Sequence, residues 1–439
     1  VIPILILCSS ILLLLILIMV VKLNAFTALI LSTLFVGLCN SMVLSTIVKS
    51  ISNGIGSTLG STLLILGFGV LFGSILSETG AAQRISIGLV NLFGVKRIKI
   101  AMALTGFVVG IAMFYNAGFI ILIPLVFSVA LNTGQPLVYL GIALTSALSV
   151  THGFLPPHPG PSAIAIIFKA DIGKTLLYGT LVSIPAISMA GLIFPEFVKK
   201  IKANPPKEIF NIKHFEDNEM PGFSTSVIVA LIPVILMGFS TASILLLPAT
   251  SSITKILLFI GDPGIAMLLA LLIAIFVLGI ARGIKMKTLM DKSALSLNAV
   301  TTILMLIAAG GAFKQILLDS GTGDAIVGFF KDSTLSPLLL GWLIATLLRI
   351  AVGSATVAGL TAAGIVQPLI GPMQVNPELM VLSIGAGSLM CSHVNDTGFW
   401  IFKEYFGLSI KDTFKTWSIM ETIVGIMGLF GVLALNTFL

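Results

Sequence analysis

Pro136–Phe168 reads PLVYLGIALTSALSVTHGFLPPHPGPSAIAIIF, an apolar run without a single Lys, Arg, Asp or Glu. It is longer than the roughly 20 residues a helix needs to cross the hydrocarbon core of a membrane. Its middle holds Pro156, Pro157, Pro159, Gly160 and Pro161 around His152 and His158. A helix does not run through such a cluster, because each proline lacks an N–H and crowds the preceding turn. Unwound backbone at membrane depth is tolerated only where it is buried in protein or lines a watery cavity. The run therefore predicts an all-α polytopic membrane protein with broken helices around a polar site.

The rest of the chain agrees. Of 439 residues, 57% are hydrophobic and 9% charged, against about 25% charged in an ordinary soluble domain. The excess of Lys and Arg over Asp and Glu, 24 to 17, sits in short loops. It reads as membrane orientation and not as a nucleic-acid surface. Cys8, Cys39 and Cys391 are odd in number and lie in apolar runs, which argues against a disulfide framework or a zinc ribbon. Ile2–Val21 has no basic n-region or small-residue cleavage site and reads as a span, not a signal peptide.

Twelve apolar segments can be drawn: 2–21, 24–48, 54–78, 98–131, 136–168, 175–198, 223–249, 257–281, 293–318, 336–371, 378–402 and 413–438. The polar stretch 199–222 separates residues 1–198 from 223–439, six segments on each side. A shift of 241 residues sets Gly69 on Gly310, Phe72 on Phe313, Gly80 on Gly321, Pro136 on Pro377 and His152 on His393, the mark of an internal repeat. The basic loops change places between the copies. Arg84, Lys96, Arg97 and Lys99 follow the third segment, whereas Arg282, Lys285, Lys287 and Lys292 precede its counterpart. By the positive-inside rule this predicts two inverted-topology repeats joined by a cytoplasmic linker. With 84–99 and 199–222 on one side, the three segments between them cross an even number of times, so one must be a re-entrant helical hairpin. Segment 98–131 and its copy 336–371 are the long ones, with tips near Tyr115-Asn116-Ala117-Gly118 and Gly353-Ser354-Ala355-Thr356.

Four breaks carry the candidate chemistry: the two hairpin tips, Thr151–Pro161 and Ser392–Gly398. His152 and His393 are candidates to hold a substrate carboxylate or pass a proton, since histidine changes charge near neutrality. The alternative is a histidine that only bonds a broken helix end. Asp396 is the candidate proton carrier, because a carboxyl taken from water favours its neutral form. Asn395 and Asp396 are equally ideal helix N-caps. Arg349, just before the second tip, suits an anion through its fork of donors, with snorkelling to headgroups as the alternative. Asn116, Ser354 and Thr356 offer neutral donors and acceptors for sugar-acid hydroxyls or a cation, or else cap the tips. No phosphate-binding loop, His-Glu-x-x-His or Gly-x-Ser-x-Gly occurs, so neither ATP hydrolysis nor proteolysis is indicated. No cofactor is expected, and transport would draw on an ion gradient. A membrane metalloenzyme built on His152, His158, His393 and Asp396 is the reading from another class, but the spacing fits no zinc signature.

Leu155–Pro161 (LPPHPGP), Arg349–Thr361 (RIAVGSATVAGLT), Ser392–Phe406 (SHVNDTGFWIFKEYF) and Lys411–Thr422 (KDTFKTWSIMET) resemble the gluconate permease family of proton symporters. The likeness runs nearly the whole chain in order. It implies uptake of gluconate or related sugar acids with protons across the cytoplasmic (inner) membrane; some members take D-serine. It also implies membership of a wider group that includes divalent-anion/sodium symporters, with inverted repeats, paired re-entrant hairpins, homodimers and elevator-like movement. Two departures stand out. Many members have an acidic residue where this chain has Asn116, and often a glutamine near Val352.

Overall fold

The computed structural model describes residues 2–113, 115–205, 215–248, 250–325, 335–394 and 396–439. Among them the regular structure is entirely helical. The first half consists of α1 (Ile2–Met19), α2 (Ala25–Cys39), α3 (Leu44–Glu78), α4 (Ala81–Phe93), α5 (Ile98–Ala112), α6 (Tyr115–Thr133), α7 (Leu137–Phe154), α8 (Pro159–Phe168) and α9 (Ile172–Ile187). The last of these continues through a π-helical turn to Val198. The second half runs α10 (Phe223–Leu246), α11 (Ser252–Ile260), α12 (Pro263–Ala274), α13 (Met286–Asp319), α14 (Pro337–Val352), α15 (Ala355–Val366), α16 (Pro377–Gly387), α17 (Thr397–Phe406) and α18 (Ile419–Asn436). Six described helical stretches are long and apolar enough to cross a membrane, seven if the bent α3 counts as one span. The shorter apolar helices include the arms of the expected hairpin at 336–371, Pro337–Val352 and Ala355–Leu369.

Two expectations are corrected. Segment 24–48 is not one helix: α2 stops at Asn40, Ser41 takes a left-handed φ of 56°, and residues 44–48 open α3. The basic stretch 84–99 is not mainly loop. Ala81, Ala82, Ile85 and Leu89 recur on one face of α4 and are buried, the spacing of an amphipathic helix lying against the core.

The long helices α3 and α13 pack side by side and run in opposite directions. Near the start of α3, the Ser50 hydroxyl donates to Asp319 at the end of α13, at 2.5 Å. At the other end, Arg282, just before α13, donates to the carbonyl of Thr79, just after α3, at 3.3 Å. Both helices then end alike. Thr79 and Ser320 close them in helical conformation, and Gly80 (φ 74°) and Gly321 (φ 72°) follow in the left-handed region that favours glycine.

Residues 215–222 bridge the halves. Arg84 on α4 pairs with Asp217 at 2.6 Å and donates through Nε to the Pro221 carbonyl at 2.8 Å. Arg282 donates to the Glu219 carbonyl. One basic residue from each half, Arg84 and Arg282, thus meets the same strap of chain.

The α3–α13 crossing is backbone against backbone. A Cβ on Gly54 would lie 2.8 Å from Ala312 Cα, whereas one on Gly56 would meet nothing within 4 Å. Gly54→Ala should lower thermal stability by about 1–3 kcal/mol through overpacking. Gly56→Ala should leave it unchanged or raise it by up to about 1 kcal/mol. Thermal unfolding of the purified protein in detergent reads both.

Candidate functional site

Both hairpins, the last turns of α7 and the break before α17 converge on one cavity of about 340 Å³, within the usual range of small-molecule sites. Helix α5 ends at Ala112, Met113 is extended and α6 begins at Tyr115, so Asn116 stands in the first turn of α6, with its side chain on the cavity. The second hairpin turns at Gly353, which takes φ 80°, and Ser354. The Ser354 hydroxyl caps α15 by accepting from Val357 N–H at 3.4 Å, and Thr356 follows it; both line the cavity.

The proline break is narrower than expected. Helix α7 continues to Phe154, and Leu155 adopts extended backbone, the conformation favoured before a proline. Pro159 then opens α8 as its first residue, where its missing N–H costs nothing. His152 is therefore not in unwound chain. It occupies the last turn of α7, lines the cavity, and has a buried Nδ1 without a hydrogen-bond partner. Its ring stands 6.3 Å from Tyr115 and 5.4 Å from His158. His158 bonds the Gly110 carbonyl through Nε2 at 2.5 Å. Because a carbonyl only accepts, that nitrogen carries the proton, and the bond ties the break to α5.

The strongest polar cluster joins the second hairpin to the second break. Arg349, in the last turn of α14 and 3% exposed, donates to the Gly353 carbonyl and to Asp396. Asp396 also accepts from the Ser392 hydroxyl and, at 3.1 Å, from Gly398 N–H as the N-cap of α17. Trp417 sets the direction of the chain. Its indole N–H, which can only donate, bonds Ser392 Oγ at 2.7 Å, so the serine's own hydrogen is left for Asp396. Snorkelling of Arg349 to lipid is thereby excluded.

His393 does not join His152. Helix α16 stops at Gly387, whereas its sequence counterpart α7 stays helical through His152. The two histidines therefore occupy matching sequence positions on differently wound chain. His393 bonds the Ile350 carbonyl through Nε2 at 2.9 Å and lines a separate pocket with Cys391 and Thr422. It fastens the end of α14 behind Arg349, the helix-end role weighed as the alternative. Asn395 lies outside the described residues. No group of three or more His, Cys, Asp or Glu among the described residues is placed to share a metal ion.

The structure adds Ser149, Trp417 and Glu421, which lie outside the breaks, and gives Tyr115 of the first tip a place on the cavity wall. Glu421 is 1% exposed and lies beside Ser149, without a well-aligned hydrogen bond to either carboxylate oxygen. A signal existed. Glu421 is an acidic residue within a long apolar span, four residues after Trp417, so both face the same way. The π-helical turn Phe414–Ser418 just before α18 is the kind of irregularity that often marks functional sites.

Several apolar spans and interrupted helices around a cavity make this a multi-pass membrane protein. The chain belongs to the GntP family of permeases, whose family model matches residues 2–438. It is 48% identical to the Gnt-II system L-idonate transporter of Escherichia coli (strain K12), covering 100% of both chains. It is also 48% identical to a high-affinity gluconate transporter of the same strain, covering 99% of each, and 45% identical to the gluconate permease of Bacillus licheniformis, covering 99% of this chain and 100% of that one. Among solved structures, the fold is similar to the Alcanivorax borkumensis YdaH transporter, with TM-score 0.61 at 15% identity over 89% of this chain and 86% of that one. Neisseria gonorrhoeae MtrF gives 0.60 at 16% identity, over 89% and 82%.

Removing Asp396 strands Arg349 as a buried unpaired charge, so Asp396→Ala should cost about 3–5 kcal/mol. Ser392→Ala, which removes the hydrogen bond to Asp396 and leaves the buried Trp417 indole N–H without its acceptor, should cost at least about 1.5–3 kcal/mol. The double variant Arg349→Met/Asp396→Leu should lose less than Asp396→Ala alone. Denaturation of the three purified variants measures the order.

Proposed function

We propose that this permease imports gluconate or a closely related sugar acid together with a proton. A sugar acid is one carboxylate followed by a row of hydroxyls. The observation that carries the reading is Arg349, a buried cation whose Nη atoms are engaged while Nε has no partner. That free donor suits the cargo carboxylate. Around it, Asn116, Ser354, Thr356 and the unpartnered Tyr115 hydroxyl are neutral groups of the type that bind hydroxyls. His152, with its free Nδ1, completes the polar wall. The names of the L-idonate and gluconate relatives agree with this cargo class. A second cargo, D-serine or another small hydroxy acid, draws support from Glu421, an acceptor suited to an ammonium group.

In this reading residues 1–198 and 223–439 are oppositely oriented repeats joined by a cytoplasmic linker at 199–222. The antiparallel α3 and α13 and the matching turns at Gly80 and Gly321 support it. The protein would reside in the bacterial inner membrane as a homodimer and move its cargo by an elevator-like alternating-access motion. It would then share the wider transporter group of the divalent-anion/sodium symporters.

Protein reconstituted in liposomes should accumulate labelled gluconate or L-idonate under an inward proton gradient, and a protonophore should collapse the uptake. Indifference to pH together with dependence on sodium would reject proton coupling. Strong competition by D-serine, with none by sugar acids, would move the cargo to the second reading.

A further inference from the structure

We infer that Glu421, rather than Asp396, is the carboxyl that binds the coupled proton, and that it must be neutral before an anionic cargo can settle beside Arg349. The inference deepens the transport reading above and rests on it.

The charges that face Glu421 are few. Arg349 comes from α14, Asp396 from the stretch before α17, and neutral Tyr115, Ser149 and His152 from α6 and α7. Helices α9 and α16 also pack on α18, but no described charged residue of either lines the cavity. Arg349 and Asp396 cancel one another. An ionised Glu421 would therefore leave the site with one net negative charge, and a cargo carboxylate would double it beside two buried side chains. Like charges at short range and low dielectric repel strongly. Protonation of Glu421 removes that barrier, so anion and proton enter together.

Geometry separates the two carboxyls. A proton on Asp396 would cancel the charge that pairs with Arg349, on a carboxylate already held by the Ser392 hydroxyl that Trp417 fixes and by the N-cap bond from Gly398. The Glu421 oxygens carry no such bonds, and they lie on the cavity wall. The step balances simply. An O–H bond forms on the Glu421 carboxylate with a proton from the outer water, and it breaks to the inner water after the cargo departs.

The test is made in proteoliposomes. Wild-type protein should show both gradient-driven accumulation and counterflow, the exchange of labelled external for unlabelled internal gluconate. Glu421→Gln, fixed as the neutral form, should retain counterflow with an apparent affinity independent of pH. It should lose accumulation down to the level reached without a gradient. Glu421→Asp should keep accumulation. Gradient-driven accumulation by Glu421→Gln would overturn the assignment. So would loss of both activities in Glu421→Gln and Glu421→Asp alike, which would mark a structural residue. If wild-type protein neither accumulates nor exchanges any sugar acid, the transport reading itself fails, and that is visible before any variant is compared.

Discussion

A buried guanidinium cannot stand alone in this protein. Taking Arg349 out of water costs several kcal/mol unless its donors are met, and the partners that meet them come from separate elements. Gly353 belongs to the turn between α14 and α15, and Asp396 to the unwound chain before α17. Through Ser392 and Trp417 the constraint reaches the segment leading into α18. One charge thus fixes a hairpin, a helix break and a span relative to each other. The cavity takes its shape from that agreement.

The same accounting explains why the breaks are short. Each interrupted helix leaves carbonyls and amides that the apolar surroundings cannot satisfy, and the structure supplies local substitutes. Ser354 and Asp396 cap the helices that restart, His158 and His393 bond backbone carbonyls near helix ends, and Pro159 begins a helix where no N–H is needed. Side chains occupied in this way keep only their remaining donors and acceptors for a ligand. Among the buried atoms of the described residues around the cavity, the Tyr115 hydroxyl, His152 Nδ1, Arg349 Nε and the Glu421 carboxyl are without a partner.

Much of this was legible in the sequence because prolines, glycines and rare ionisable residues in apolar runs have few physical excuses. The Gly353-Ser354 turn, Arg349 and Asp396 all fell where the cavity lies, and the proline cluster follows directly on the cavity-lining His152. The matching of His152 to His393 misled, because an offset in sequence carries no information on whether both copies stay wound. Trp417 and Glu421 sit in continuous helix, so a search directed at breaks passed over them. The boundary between α2 and α3 was hidden for a different reason: Asn40 and Ser41 are small enough to read as part of an apolar run. Helix α4 was masked by its own basic residues, which drew attention to charge and away from the periodic Ala, Ile and Leu beneath.

Trp417 has a further consequence, for spectroscopy. The chain holds three tryptophans. Trp342 bonds the Gly425 carbonyl away from the cavity, and Trp400 is partly exposed and bonds the Val394 carbonyl. Only Trp417 stands in the cavity wall, its ring 5.6 Å from Tyr115. With the other two replaced by phenylalanine, a single intrinsic fluorophore reports on polarity and occupancy at the heart of the permease, without any label.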